Sequence, residues 1–126
     1  MAYKKEIFIP GNVSSSKNSK QWTGKFLVYS KTARNYVKKT KKDYIDNKEY
    51  FLKMLEGKEK PYKISFYFIR DSRRKFDYIN AAQLPLDLMQ KYEWLEDDDC
   101  HNVLPVFEGH EVNKEKAGVI IKVLNK

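Results

Sequence analysis

The sequence predicts an α/β (α+β) domain in which a mixed sheet of about four strands is covered by two or three helices. Three observations lead there. Tyr62–Arg70 alternates in a period of two; apolar residues recur at helical spacing from Ala33 to Tyr44 and again from Ile79 to Met89; and the run Gly118–Leu124 is β-branched and apolar. At 126 residues the chain has material for one ordinary core, so residues 1–126 are expected to form a single domain. Nine Tyr, seven Phe and two Trp supply the apolar bulk that a disordered chain lacks.

Taken in order, Lys4–Pro10 reads as a short strand with Ile7 and Ile9 on one face and Phe8 on the other, stopped by Pro10-Gly11. Residues 12–24 (NVSSSKNSKQWTG) have the Ser, Asn and Gly content of a mobile polar loop, in which Lys17, Lys20 and Trp22 are candidates to meet a sugar-phosphate backbone. Lys25–Tyr29 is a brief strand. Ser30 then serves as N-cap, since its hydroxyl can accept an amide of the first turn. The helix that follows buries Ala33, Tyr36, Val37, Thr40 and Tyr44, which leaves Lys31, Arg34, Lys38, Lys41 and Lys42 on a cationic outer face. A second helical stretch is expected over Lys48–Glu56, ended by Gly57 and Pro61.

Past the Tyr62–Arg70 strand comes the basic loop Asp71–Lys75, and then Asp77 as cap of a helix whose core face holds Ile79, Ala82, Leu86 and Met89. Pro85 inside this helix is expected to kink it. Trp94 at its end belongs to the core, and Glu96–Asp99 is an acidic loop. Val103–Phe107, interrupted by Pro105, suits an edge strand, and Gly118–Leu124 a central one.

Charge separates the function classes. Lys and Arg number 25 against 17 Asp and Glu; residues 1–60 hold 15 basic and 6 acidic side chains, and residues 61–126 hold 10 and 11. One half attracts phosphate and the other gathers carboxylate, a pattern suited to a polyanionic partner. There is no run of about eighteen apolar residues, and MAYKKEIFIP has no apolar region of the secretory kind, so a cytoplasmic protein with no membrane association is expected, in a bacterial host or a phage-infected cell. The single Cys100 fits a reducing compartment. Cys100, His101 and His110 match no closed zinc spacing, and no glycine-rich phosphate loop is present.

Phosphodiester hydrolysis near neutral pH is most easily done with Mg²⁺, or with Mn²⁺, held by a few carboxylates. Asp77, Asp97 and Asp98 are the candidate ligands. Read without a metal, Asp77 is a helix cap and Glu96–Asp99 a solvated turn. The segment from Arg73 to Asp98, RRKFDYINAAQ then LPLDLMQKY then EWLEDDD, resembles the signature region of RusA-family Holliday-junction resolvases: basic residues, then Asp-x-Asp-Asn-x-x-Lys, an amphipathic helix, and a closing Asp-Asp. Asp77 matches the first motif aspartate, Asn80 the asparagine, and Asp97 and Asp98 the closing pair, without a gap. Asp87 falls on a position that is often acidic. Ile79 stands at the second aspartate position and Gln83 at the lysine position.

The resemblance spans nearly the whole chain. It implies a homodimeric, Mg²⁺-dependent endodeoxyribonuclease acting on branched DNA such as four-way junctions, in recombination and repair. Asp77, Asp97 and Asp98 would hold metal as the catalytic carboxylates, Asn80 would orient the site, and Arg73, Arg74 and Lys75 would grip phosphate. The two departures leave a second expectation open, a junction-binding dimer without the chemistry, and a third is an RNA-directed nuclease. A helix from Tyr78 to Lys91 is about 20 Å long, so its two ends cannot share a metal directly. Residues 92–97 extend about 20 Å at most, so the acidic loop must fold back along the helix, or a second protomer must complete the site.

Overall fold

A computed structural model describes residues 4–14, 20–22 and 27–124, with the strands inside 20–29 described by their backbone alone. In chain order the elements are β1 (Ile7–Pro10), β2 (Lys20–Trp22), β3 (Leu27–Tyr29), α1 (Lys31–Leu55), β4 (Tyr62–Arg70), α2 (Tyr78–Lys91), β5 (Val103–Val112), a 3₁₀ turn (Lys114–Lys116) and β6 (Gly118–Val123). This is the expected α+β architecture. Four strands form a mixed sheet in the order β1-β6-β4-β5, antiparallel except for the parallel pair β4–β5, while β2 and β3 make a separate antiparallel pair.

Alternation in β4 places Ile64, Phe66 and Phe68, all fully buried, on one side of the sheet, where they meet Ile7 and Ile9 of β1 and Val119 and Ile121 of β6 in the core. The Gly118–Val123 strand is central, as expected from its β-branched composition, and β5 is an edge. That edge tolerates Pro105, because a proline can sit in a strand whose far side has no partner to bond.

Several points differ from the sequence reading, among them the end of β5, which runs five residues past Phe107 to Val112. The segment 12–24 is not loop throughout, since Lys20–Trp22 extends and pairs with Leu27–Tyr29 across the Gly24-containing connection. The two helical stretches after Ser30 are one helix of 25 residues. No Gly or Pro interrupts residues 31–55, and the buried stripe Ala33, Tyr36, Thr40, Tyr44 continues to Phe51 and Met54 at the same spacing. Ser30 caps it as expected, its Oγ accepting from the Ala33 amide at 3.2 Å. Ile79 does not join the core face of α2. It is 73% exposed, because the buried set is Ala81, Ala82, Leu84, Pro85, Leu88 and Met89, and at 3.6 residues per turn Ile79 lies across the helix from these. The helix runs through Pro85 from Tyr78 to Lys91.

Trp94 joins the two helices. It is 1% exposed, stacks on Phe51 of α1 with ring centroids 4.9 Å apart, and donates Nε1–H to the Tyr44 carbonyl at 2.8 Å. The turn that delivers it is a Schellman motif: the Trp94 amide donates to Met89 O at 2.8 Å and the Glu93 amide to Gln90 O at 3.1 Å, with Glu93 in the left-handed region at φ 64°. The acidic loop therefore begins from a fixed point. Among the described residues no helix is long and apolar enough to cross a membrane.

Candidate nucleic-acid and metal site

β4 ends at Arg70, and the chain then crosses the exposed basic segment to the first turn of α2. Arg70, 8% exposed, fixes this corner: Nη1 donates to Val13 O at 2.7 Å, and the guanidinium sits 4.5 Å from the centroid of the Phe76 ring. Burial lowers the Arg70 pKa from its ordinary value, an effect that the neighbouring Asp71 charge opposes. The Asp71 amide donates to Asn12 Oδ1 at 3.0 Å, so the start of the 12–24 segment is bound to the same corner.

Asp77 occupies the N-cap position of α2 but makes no side-chain cap bond. Its Oδ2 instead accepts from Asn80 Nδ2 at 3.2 Å. Asn80 thus holds the Asp77 carboxylate. Both residues line a cleft of about 540 Å³ together with Arg73, Arg74, Lys75, Phe76, Tyr78 and His110. The three predicted phosphate-gripping cations and Asp77 are therefore brought together on one concave surface.

Asp97 and Asp98 are not brought to Asp77. Asp98 lies instead within electrostatic reach of Asp87, on the third turn of the helix. Burial, then a hydrogen bond with Asp97, then the charges of Asp87 and Asp97 raise the Asp98 carboxyl above its ordinary range; Asp77 is not among the causes. Asp87 lies ten residues along α2 from Asp77, about 15 Å of helical rise. Between these two carboxylates runs a polar stripe on the solvent face of α2, Asn80 to Gln83 to Asp87, in which Gln83 Nε2 donates to Asp87 Oδ1 at 3.0 Å. Ile79 opens onto the same face. Among the described residues no three His, Cys, Asp or Glu side chains converge closely enough to hold a metal ion.

The other acids of the run have structural duties. Asp99 Oδ1 accepts from Asn102 Nδ2 at 2.8 Å and from the His101 amide at 3.1 Å, and these bonds, that of Asn102 foremost, lower its pKa. It shapes the turn into β5. Glu96 pairs with Lys60 at 3.1 Å, both well exposed.

Of the remaining predicted contacts, Lys31, Arg34 and Lys38 are exposed on the face of α1 away from the core, continued by Lys41 and Lys42 at positions that share that face. Lys17 lies outside the described residues. Lys20 and Trp22 are in β2, where only the backbone is described. Cys100 and His101 are both exposed in the turn before β5.

Sequence reasoning missed His110. It reaches the cleft from β5, with Nδ1 2.9 Å from the Tyr78 hydroxyl and its ring edge-on to Phe76, centroids 5.0 Å apart. The signal available was Glu108-Gly109, a bulge-forming pair inside a strand. No protein-family model matches this chain, and no curated protein matches it.

Proposed function

We propose that the chain is a metal-dependent, structure-selective endodeoxyribonuclease that resolves four-way junctions and related branched DNA in recombination and repair, acting as a homodimer. The observation that carries this reading is the cleft at the start of α2, where the carboxylate of Asp77, held by Asn80, shares one surface with Arg73, Arg74 and Lys75. Cations beside a carboxylate are what a phosphodiester needs in order to be placed against a metal ligand. The exposed cations of α1 support it, as a second surface for duplex backbone.

Asp77, Asp97 and Asp98 offer hard carboxylate oxygens, the donor type that Mg²⁺ or Mn²⁺ prefers, and Asp98, its carboxyl raised by burial and then by its acidic neighbours, would be relieved by a nearby cation. When bound, the ion would supply Lewis-acid polarisation of the phosphoryl group and a more acidic water. The chain's own residues do the rest. Arg73, Arg74 and Lys75 bind phosphate, and Asn80 keeps Asp77 turned toward the cleft. A two-fold dimer would bring a second set of acids to a junction whose strands share that symmetry.

Ile79 favours a second reading. At 73% exposure it presents a hydrocarbon side chain where the resembled motif has an aspartate, which suits a dimer that binds junctions without cutting them. Incubating a synthetic four-way junction and a linear duplex with the protein, with and without Mg²⁺, separates the two. Paired nicks in the junction that require Mg²⁺ and are lost in Asp77→Asn and in Asp98→Asn are expected. Tight junction binding with no cleavage in Mg²⁺ or Mn²⁺ would leave the binding dimer standing.

A further inference from the structure

β5 carries one residue more than β4 can pair. Phe66 lies opposite Phe107, but Tyr67 lies opposite Gly109 and Phe68 opposite His110, so Glu108 is the extra residue of a bulge. Gly109 has φ 121°, a backbone state that only glycine adopts readily. The effect is one of parity. In a regular strand, positions 107 and 110 would face opposite sides of the sheet, whereas here both face the side covered by α2. Phe107 stacks on Tyr78 with centroids 5.6 Å apart, and His110 lands beside the same ring.

There the imidazole is held but not covered. The Tyr78 hydroxyl contacts Nδ1 at 2.9 Å, Phe76 packs edge-on, and the residue remains exposed along the wall of the cleft that Arg73, Arg74 and Lys75 share. When the hydroxyl donates to Nδ1, the ring proton sits on Nε2, which is then a donor for a ligand. The cleft so combines three cationic side chains, one imidazole and one carboxylate, in a volume of about 540 Å³.

We propose that this cleft is a phosphodiester-binding subsite in which His110 Nε2–H donates to a non-bridging oxygen while Arg73, Arg74 and Lys75 supply the charge. A phosphodiester oxygen only accepts, so the ligand selects the tautomer in which Tyr78 donates to Nδ1. The proposal rests on the nuclease reading for the identity of the polymer that brings the phosphate. The subsite itself needs no metal.

His101 and His110 are the two histidines of the chain, so imidazole resonances of the ¹⁵N-labelled full-length protein report on the subsite with a control built in. Thymidylyl-thymidine is titrated in EDTA at constant ionic strength, with inorganic phosphate as a second arm. The expected result is a saturable shift of the His110 signals, with Nε2 moving to the protonated position and His101 unmoved. Arg73→Ala/Arg74→Ala/Lys75→Ala abolishes the shift. A response to inorganic phosphate as well as to the dinucleotide means that the phosphate group alone is read; a response to inorganic phosphate only, a common shift of both histidines, or no shift overturns the proposal.

In metal-free binding to a four-way junction, His110→Ala weakens affinity about fivefold, the worth of one hydrogen bond near 1 kcal/mol, while His110→Gln retains most of it. Wild-type affinity in His110→Ala also overturns it. A protein that cuts junctions but shows no His110 shift sinks the subsite alone, and one that shows the shift but never cuts sinks the nuclease reading alone.

Discussion

Replacing Trp94 by Phe tests how the acidic loop is held. The substitution keeps an aromatic ring against Phe51 but removes the Nε1–H that donates to Tyr44 O at 2.8 Å. The lost bond costs about 1 kcal/mol. Exchanging indole for phenyl opens a space on the order of 40 Å³, which at ~24 cal/mol per Å³ costs about 1 kcal/mol more. Lost burial of the removed atoms brings the expected destabilisation to roughly 2–3 kcal/mol. With an unfolding entropy of ~2.1 cal/mol/K per residue, this lowers Tm by roughly 9 °C for a chain of this length. Thermal unfolding followed by far-UV circular dichroism measures it, and urea unfolding should give an unchanged m-value. A drop of less than about 3 °C would refute the reasoning, since it would mean that the loop's anchor lies elsewhere than in this buried contact.

Two further outcomes follow from the same end of α2. Glu93→Gly should raise stability by about 0.5–1 kcal/mol, because a left-handed residue is relieved while the exposed ion pair with Lys48 contributes little. Urea midpoints measure this, and Glu93→Ala, which loses the pair but keeps the strain, should show no gain. The folded-state carboxyl of Asp98 lies above its ordinary value of 3.8, so its ionisation opposes folding; that penalty is present near neutral pH and fades as pH falls through the raised folded value. Asp98→Asn should therefore stabilise the protein at pH 7 in the absence of divalent cation, with the gain vanishing below about pH 4. Paired urea titrations across pH decide the point, and a gain that persists at low pH would show that some other contact of Asp98 is responsible.

Much of this fold was legible because its signals are local. Ile64, Phe66 and Phe68 alternate, Ser30 precedes an uninterrupted helical stripe, and Gly118–Val123 is too apolar to be an edge. The site was legible only in part. Arg73, Arg74, Lys75, Asp77 and Asn80 fall within eight consecutive residues, so their grouping follows from local geometry. Ile79 was misplaced because an apolar residue in the first helical turn reads as core until the direction of the buried face is known. The length of α1 was misjudged where Ile45, Asp46 and Asn47 blur the stripe, although the backbone had no reason to stop there. Where the acidic loop goes depends on Trp94 reaching Tyr44, fifty residues earlier, and a contact of that range leaves no local trace. His110 was hidden because the strand reads as ending at Phe107, before the Glu108-Gly109 bulge, whereas β5 continues through it to Val112.

The bulge has a consequence apart from the cleft. β5 is ten residues long and lies at the border of the sheet, with exposed Leu104 and Val112 near its ends. A flat border strand of that length would invite the same strand of another molecule to add to it and propagate. Here Pro105 removes one amide donor near the start, and Glu108 with Gly109 breaks the ladder in the middle and places a carboxylate at the break. The distortion that turns an imidazole toward α2 also interrupts the border strand, a device by which natural sheets discourage edge-to-edge pairing.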